Sequence, residues 1–314
     1  MKILITGGAG FIGSNLAAFH AEKNDSVVVI DNLLTGSKKN IEQLLIDTRI
    51  EFIEKDICEI DIDSLPEFDL IYHLASPASP DKYKKYPVET LMVNSVGTKK
   101  MLDLALKNKN CIFFLASTSE VYGDPLVHPQ VESYFGNVNP VGPRSCYDEA
   151  KRFAEAITTT YVNKFGLDAR IARIFNTYGP NMEESDGRVI SNFISQALSN
   201  KPLTVYGPGK QTRSFCYVSD LLDGIHSLAT VKGLKGQIVN LGNPEEISII
   251  DLAQIVTKMT KSSSKIEYKA IDADDPKKRK PDISKAGKLL NFSPKIKLRE
   301  GLEKTIEYFK SRFI

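Results

Sequence analysis

Tyr147 and Lys151 stand four residues apart in the run NPVGPRSCYDEAKR, and Thr118, Ser119 and Glu120 close the apolar run CIFFLASTSE ahead of it. On a helix, that spacing stacks the two side chains on one face, about one turn apart. A phenol beside an ammonium suits alcohol oxidation, in which the phenol must lose a proton near neutral pH. Free tyrosine titrates near about 10, so the role requires a shift of ~3 units, or about 4 kcal/mol. One lysine charge roughly 6 Å away, at an effective dielectric of ~20, supplies about 2.8 kcal/mol. A cationic cofactor ring beside the phenol could supply the remainder. In a lysine-rich chain such a pair says little alone, and its context decides.

The elements that must position this pair begin at the first residues. The β-branched run KILIT (2–6) enters a glycine turn, Gly7-Gly8-Ala9-Gly10-Phe11-Ile12-Gly13, followed by a helix over 14–23 and a buried strand over 26–30 that ends at Asp31. Strand, glycine turn, helix, strand and acidic residue together make a dinucleotide fingerprint. The glycines allow a tight turn and bring the backbone close to a pyrophosphate at the helix N-terminus. Asp31 is placed to accept the adenosine ribose hydroxyls and to repel a 2′-phosphate, so the expected cofactor is NAD rather than NADP. Asn32, Leu34, Thr35 and Gly36 follow, placed to wrap the adenosine. Asp56 and Ile57, after a strand over 51–56, meet the adenine; Asp56 could equally cap a helix.

A fourth strand over 70–74 delivers Leu74, Ala75 and Ser76, small enough for close approach to the cofactor ribose and diphosphate. His73, inside that apolar strand, reads as a packed core residue. A single amphipathic helix is expected over 87–107, and a fifth strand over 111–116 carries residues 117–120 to its C-terminal end, where ligands of doubly wound sheets sit. A helix over 147–164 and a sixth strand over 169–174 follow; further on come a strand at 238–242 and helices at 249–258 and 299–313. The fold class is therefore α/β, a doubly wound parallel (Rossmann) sheet with a smaller, interleaved C-terminal substrate-binding lobe. The nucleotide-binding domain is expected over 1–175 with 212–242 returning to it, and the lobe over 176–211 and 243–314.

Composition sets bounds on partners. The 314 residues are 42% hydrophobic and 25% charged, with a formal charge of +2, so neither nucleic acid nor an anionic membrane is expected as a partner. Cys58, Cys111, Cys146 and Cys216 lie far apart, which reads as reduced thiols rather than a disulfide frame or metal site. Cys146 adjoins Tyr147, but a packed thiol is the favoured reading over a reactive one. No charged-then-apolar leader precedes the first strand and no apolar run reaches ~20 residues; a cytoplasmic protein is expected.

The G-x-x-G-x-x-G spacing of Gly7, Gly10 and Gly13 resembles the extended branch of the short-chain dehydrogenase/reductase superfamily. The motifs HLASPASP (73–80), STSEVYGDP (117–125), SCYDEAKR (145–152), ARIFNTYGP (172–180), DGRVISNF (186–193), LTVYGPGKQTRSFCYVSD (203–220), NLGNPEE (240–246) and KRKPDI (278–283) narrow the resemblance. They are similar to the NAD-dependent epimerase/dehydratase family, and within it to the branch that decarboxylates UDP-glucuronate to UDP-xylose.

The resemblance implies a redox-neutral cycle in which Tyr147 takes the proton of the sugar 4-hydroxyl. Lys151 holds the cofactor ribose, and Thr118 shares the bond to the 4-oxygen. Where related 4,6-dehydratases carry an Asp-Glu pair, this chain has Ser119-Glu120, so the acid needed for water loss is missing and Glu120 is left to orient the ring or a water. The resemblance further implies Arg213 and Arg279 on the diphosphate, Asn176, Val189, Tyr206 and Gln211 around the uridine diphosphate, and Ser79 and Ser119 on the substrate. Thr177 goes to the cofactor; Arg188 is assigned to cofactor or substrate. Met92 and Leu106 stand where relatives would carry lysine. A homodimer through a four-helix bundle is implied, built on the helices beginning near Pro87 and Tyr147. The alternatives are a UDP-hexuronate or UDP-glucose 4-epimerase, and a non-catalytic NAD-sensing regulator.

Overall fold

The computed structural model describes residues 1–184, 186–270 and 278–312. In chain order its elements are β1 (Lys2–Thr6), α1 (Phe11–Glu22), β2 (Ser26–Asp31), β3 (Ile50–Glu54), β4 (Leu70–His73), α2 (Pro80–Lys85), α3 (Pro87–Met92), α4 (Thr98–Lys107), β5 (Ile112–Thr118), α5 (Ser145–Phe165) and β6 (Asp168–Ile174). The second half adds β7 (Thr177–Tyr178), α6 (Val189–Leu198), β8 (Leu203–Tyr206), β9 (Thr212–Ser214), β10 (Cys216–Tyr217), α7 (Val218–Thr230) and β11 (Ile238–Leu241). Last come β12 (Glu246–Ser248), α8 (Ile249–Thr260), β13 (Ile266–Lys269), β14 (Lys278–Arg279), α9 (Ser284–Leu290) and α10 (Leu298–Lys310).

Seven parallel strands in the order β11-β6-β5-β4-β1-β2-β3 make the main sheet. Its strands are apolar almost throughout because helices cover both faces. Ile3, Ile5, Val27, Val29, Tyr72 and Phe114 point to one side. Their neighbours Leu4, Val28, Ile30, Ile71, Phe113 and Leu115 point to the other, against Met101 and Leu102 of α4 and Ala154 of α5. Each fully buried Leu, Ile or Phe is worth about 1.5–3 kcal/mol, so the alternation pins register as well as adding stability. Order reverses between β1 and β4, and the crevice beyond their C-terminal ends is where such a sheet receives ligands.

The run expected as one helix over 87–107 stays helical but carries a π turn, Val93–Gly97, between α3 and α4. A Cβ on Gly97 would come within 2.8 Å of Ile57, so the wide turn lets the helix lie against the strand-three loop. The last helix ends at Lys310, earlier than expected, and Phe313 lies outside the described residues. So do residues 274–277 of the basic stretch, while Lys278 and Arg279 form β14, parallel to β9. β9 itself pairs with β12 and β14 in a small sheet, and β8 with β13 in another; α7 and β11 return to the main sheet.

Candidate active site

β1 delivers its turn with Gly7 at φ +72°, a backbone region that favours glycine, and a Cβ there would meet the Ala75 backbone at 2.7 Å. A Cβ on Gly13 would sit 2.2 Å from the Gly7 carbonyl. The turn can close only with glycine at both places, and closing it aims the start of α1 into the crevice. Asp31 ends β2, buried; it accepts the backbone N–H of Ala9 at 3.0 Å and of Leu33 at 2.8 Å. Burial raises its pKa while those two hydrogen bonds oppose the rise. A Cβ on Gly36 would stand 3.0 Å from both carboxylate oxygens, so glycine keeps the space before them open. Asp56 accepts Asn32 Nδ2 at 3.0 Å and the Cys58 N–H at 2.8 Å. Such a cradle of backbone donors, small residues and two acidic acceptors fits a dinucleotide with free ribose hydroxyls.

A cavity of about 430 Å³ continues from this cradle past the end of β5 to α6, β8 and β9. Every site residue expected from the sequence lines it except Ser79, which is buried with its hydroxyl lacking a hydrogen-bond partner. His73 bridges Thr6 Oγ1 at 2.8 Å and Thr98 Oγ1 at 3.0 Å, and burial pushes its pKa down to about 3. It is a core histidine. The thiol of Cys146, raised by burial, donates to the Tyr83 carbonyl at 3.6 Å, and thiols of raised pKa make poor nucleophiles.

Along one buried face α5 presents Tyr147 and Lys151, which line the cavity, and Glu155 one turn further on. Lys151 Nζ lies 5.9 Å from the Tyr147 ring centroid and donates to the Ala116 carbonyl of β5 at 2.9 Å. Tyr83 of α2 stacks on Tyr147, centroids 5.1 Å apart and planes 5° from parallel. The electrostatics differ from the expectation that the lysine charge lowers the phenol. Burial pushes Lys151 down to about 7, with Glu155 opposing. Burial likewise pushes Tyr147 up, Glu120 and Asp148 adding to the rise and the Thr118 hydrogen bond and Arg188 opposing it. Desolvation is thus the largest influence on this phenol and holds it above its ordinary value.

Glu120 lies in the 3-10 turn Ser119–Tyr122, which Thr118 caps by accepting the Glu120 N–H at 3.2 Å. Two guanidiniums grip its carboxylate: Arg279 through Nη1 and, at 3.0 Å, Nη2, and Arg144 through Nη2. Burial alone would raise its pKa, but Arg279 and Arg144 outweigh that and hold it down to about 2. Arg279, expected on a diphosphate, thus has its head on Glu120 in this structure. Arg213, also buried, donates to the Thr212 carbonyl at 2.9 Å, and Gln211 to the Tyr206 carbonyl at 2.7 Å. Arg188 caps α6 and pairs with Asp186 at 3.3 Å.

Sequence reasoning missed Tyr83 and Arg144, both lining the cavity. Arg144 stands three residues before Tyr147, a helical spacing that signals proximity. Nothing in the lysine-rich run around Tyr83 marks it; only folding stacks it on Tyr147.

The chain matches the family described as GDP-mannose 4,6 dehydratase over residues 4–305. UDP-glucuronic acid decarboxylase 1 of Arabidopsis thaliana is 52% identical over 314 residues, covering 100% of this chain and 71% of that protein. UDP-glucuronic acid decarboxylase 1 of Xenopus tropicalis is 50% identical over 309 residues, covering 98% of this chain and 72% of the other. Among solved structures, UDP-glucuronic acid 4-epimerase from Bacillus cereus, crystallised with UDP-glucuronic acid and NAD, superposes with a TM-score of 0.90 at 32% identity, covering 99% of this chain and 100% of that one.

Proposed function

The chain belongs to the GDP-mannose 4,6 dehydratase family within the extended short-chain dehydrogenases, and from that premise we propose that it converts UDP-glucuronate to UDP-xylose and CO2 through a UDP-4-keto intermediate. The observation that carries this is identity of 52%, along its whole length, to a UDP-glucuronic acid decarboxylase. The cofactor is NAD, and the enzyme is a carboxy-lyase.

The Gly7–Gly13 turn, Asp31 and residues 74–76 would hold NAD. Bound there, NAD would supply a reversible hydride acceptor for sugar carbon 4, so the cycle would have no net redox change. Tyr147 Oη removes the proton of the 4-hydroxyl while Thr118 shares the hydrogen bond to that oxygen. A ketone at carbon 4 turns the carbon-6 carboxylate into a β-keto acid, which loses CO2 and leaves an enolate. The protonated Tyr147 then donates to the enolate oxygen, and carbon 5 takes up a proton. Ser119 carries no acid for expelling water, which supports carboxyl loss over dehydration. Glu120, held ionised by Arg144 and Arg279, orients the ring; Arg213, Gln211, Tyr206, Asn176 and Val189 take the uridine diphosphate.

The domain division expected from sequence is kept as part of this proposal: β11 and α7 in the main sheet support the return of residues 212–242, although Thr212–Ser214 pairs on the lobe side. A homodimer through α3, α4 and α5 is proposed on the exposed Val88, Leu91, Met92, Val96 and Phe153. A cytoplasmic location rests on the four free cysteines; among the described residues no helix is long and apolar enough to cross a membrane.

The test is to incubate the protein with UDP-glucuronate and NAD+, following gas release and the mass of the nucleotide sugar. CO2 with UDP-xylose is the expected result. UDP-galacturonate without gas would establish the epimerase instead, a reading favoured by the Bacillus cereus likeness, and no turnover would leave a regulator.

A further inference from the structure

One face of the Tyr147 ring is covered from outside its own helix. Tyr83 of α2 lies parallel to it, centroids 5.1 Å apart and planes 5° from parallel, and both rings are buried. That spacing falls within the range of about 4.5–7 Å in which offset-stacked rings attract.

The bonds of Tyr83 are all made by its backbone. Its N–H donates to the Ser79 carbonyl at 3.0 Å, and its carbonyl accepts the thiol of Cys146, the residue before Tyr147, at 3.6 Å. The residue is thereby tied to the start of α2 on one side and to the turn of α5 that carries Tyr147 on the other. Its hydroxyl is buried and has no hydrogen-bond partner among the described residues. An unpaired buried hydroxyl works against folding, so hydrogen bonding by Oη does not explain where this ring lies. What Tyr83 offers Tyr147 is a flat face.

Tyr147 has need of one. An aromatic side chain has a staggered χ1 but a broad, two-fold χ2, so the helix alone leaves the ring plane open. The Tyr147 hydroxyl meets Thr118 at the end of β5, and misplacing a reacting group by about 1 Å can cost about 10²-fold in rate. Resting on the acid–base role given above to Tyr147, we propose that Tyr83 is a positioning residue whose stacked ring fixes the plane in which Tyr147 Oη meets Thr118 and the sugar 4-oxygen. The ring carries the effect; the Tyr83 hydroxyl takes no part.

The experiment measures kcat and KM for UDP-glucuronate, NAD content and thermal unfolding in Tyr83 variants. Tyr83→Leu keeps apolar bulk without a flat face, so kcat should fall at least tenfold while KM and NAD content stay within twofold. Tyr83→Phe, which keeps the face, should recover most of that loss. A kcat within twofold of the parent in Tyr83→Leu overturns the assignment, as does a change in KM alone. So does a Tyr83→Phe as slow as Tyr83→Leu, because the hydroxyl would then carry the effect. A second cycle separates positioning from packing: Tyr147→Phe should become no slower when Tyr83→Leu is added, since the positioned hydroxyl is already gone. A further tenfold fall means that Tyr83 acts other than through Tyr147 and overturns the proposal. Should Tyr83→Leu not fold, Tyr83→Met, whose flexible chain fills irregular space, takes its place in every comparison. A parent that epimerises UDP-glucuronate without releasing CO2 defeats only the decarboxylation, and the same variants are then judged on the epimerisation rate. A parent that leaves UDP-glucuronate unchanged defeats both.

Discussion

At the residue scale, Tyr147 is set apart by how unfavourable its surroundings are for an anion. It is buried, Glu120 and Asp148 raise it further, and the buried Lys151 has itself been driven toward neutrality. The ring is held face to face by Tyr83, which limits the directions its hydroxyl can take. Replacing the hydroxyl should leave the ring stack and the glycine cradle intact while removing the proposed base. For Tyr147→Phe we expect NAD to stay bound and CO2 release to fall by about 10²–10⁴, the usual worth of a positioned acid–base group. Cofactor content read by absorbance, together with the initial rate, checks this; a rate within tenfold of the parent would take the role of base away from Tyr147.

At the element scale, α5 must be fixed against the sheet for Tyr147 to meet the end of β5, and a buried ion pair does the fixing. Glu155 of α5 accepts Arg173 Nε at 2.9 Å and Nη2 at 2.8 Å from β6, and Ser117 Oγ at 2.5 Å from β5. Arg173 also donates to Tyr122 Oη and the Glu132 carbonyl, each at 3.0 Å. A well-packed apolar pair in the same space can be as stable as such a bridge, but removing one partner strands a buried charge and costs about 3–5 kcal/mol. Glu155→Ala should therefore lose about that much in urea unfolding, and Glu155→Leu combined with Arg173→Met should recover a large part. A single-variant loss under about 1 kcal/mol would mean that apolar packing, not the ion pair, fixes the helix. The π turn between α3 and α4 belongs to the same scale: it brings Val93 to the cavity, which a regular helix over 87–107 does not require.

At the scale of the whole molecule, one cavity joins what the chain separates. β9 and β14, carrying Arg213 and Arg279, come from well beyond β5 and meet its C-terminal end. The outer faces of α3 and α5 leave apolar side chains in solvent; Val88 is 65% and Phe153 48% exposed. The proposed homodimer would cover both. Sedimentation should therefore give twice the chain mass for the parent and the single-chain mass for Phe153→Glu. A parent that sediments as a monomer at micromolar concentration would remove the dimer. Helix α10 packs against α6 and α8, and β8 pairs with β13.

Local patterns in the sequence settled the cofactor half of this protein. The spacing of Gly7, Gly10 and Gly13, the strand ending at Asp31 and the Tyr147–Lys151 step depend on residues within one or two turns of each other, and their geometry follows from the periods of helix and strand. His73 was legible as core for the same reason, lying inside a four-residue buried strand. The charge state of the site was decided only by the tertiary structure. Whether Lys151 lowers Tyr147 or is itself neutralised depends on desolvation, which no spacing encodes. The meeting of Glu120 with Arg279 across 159 positions, the Tyr83 stack and the burial of Asp148 arise when distant elements share one cavity, where the strength of every charge is set by its neighbours in space.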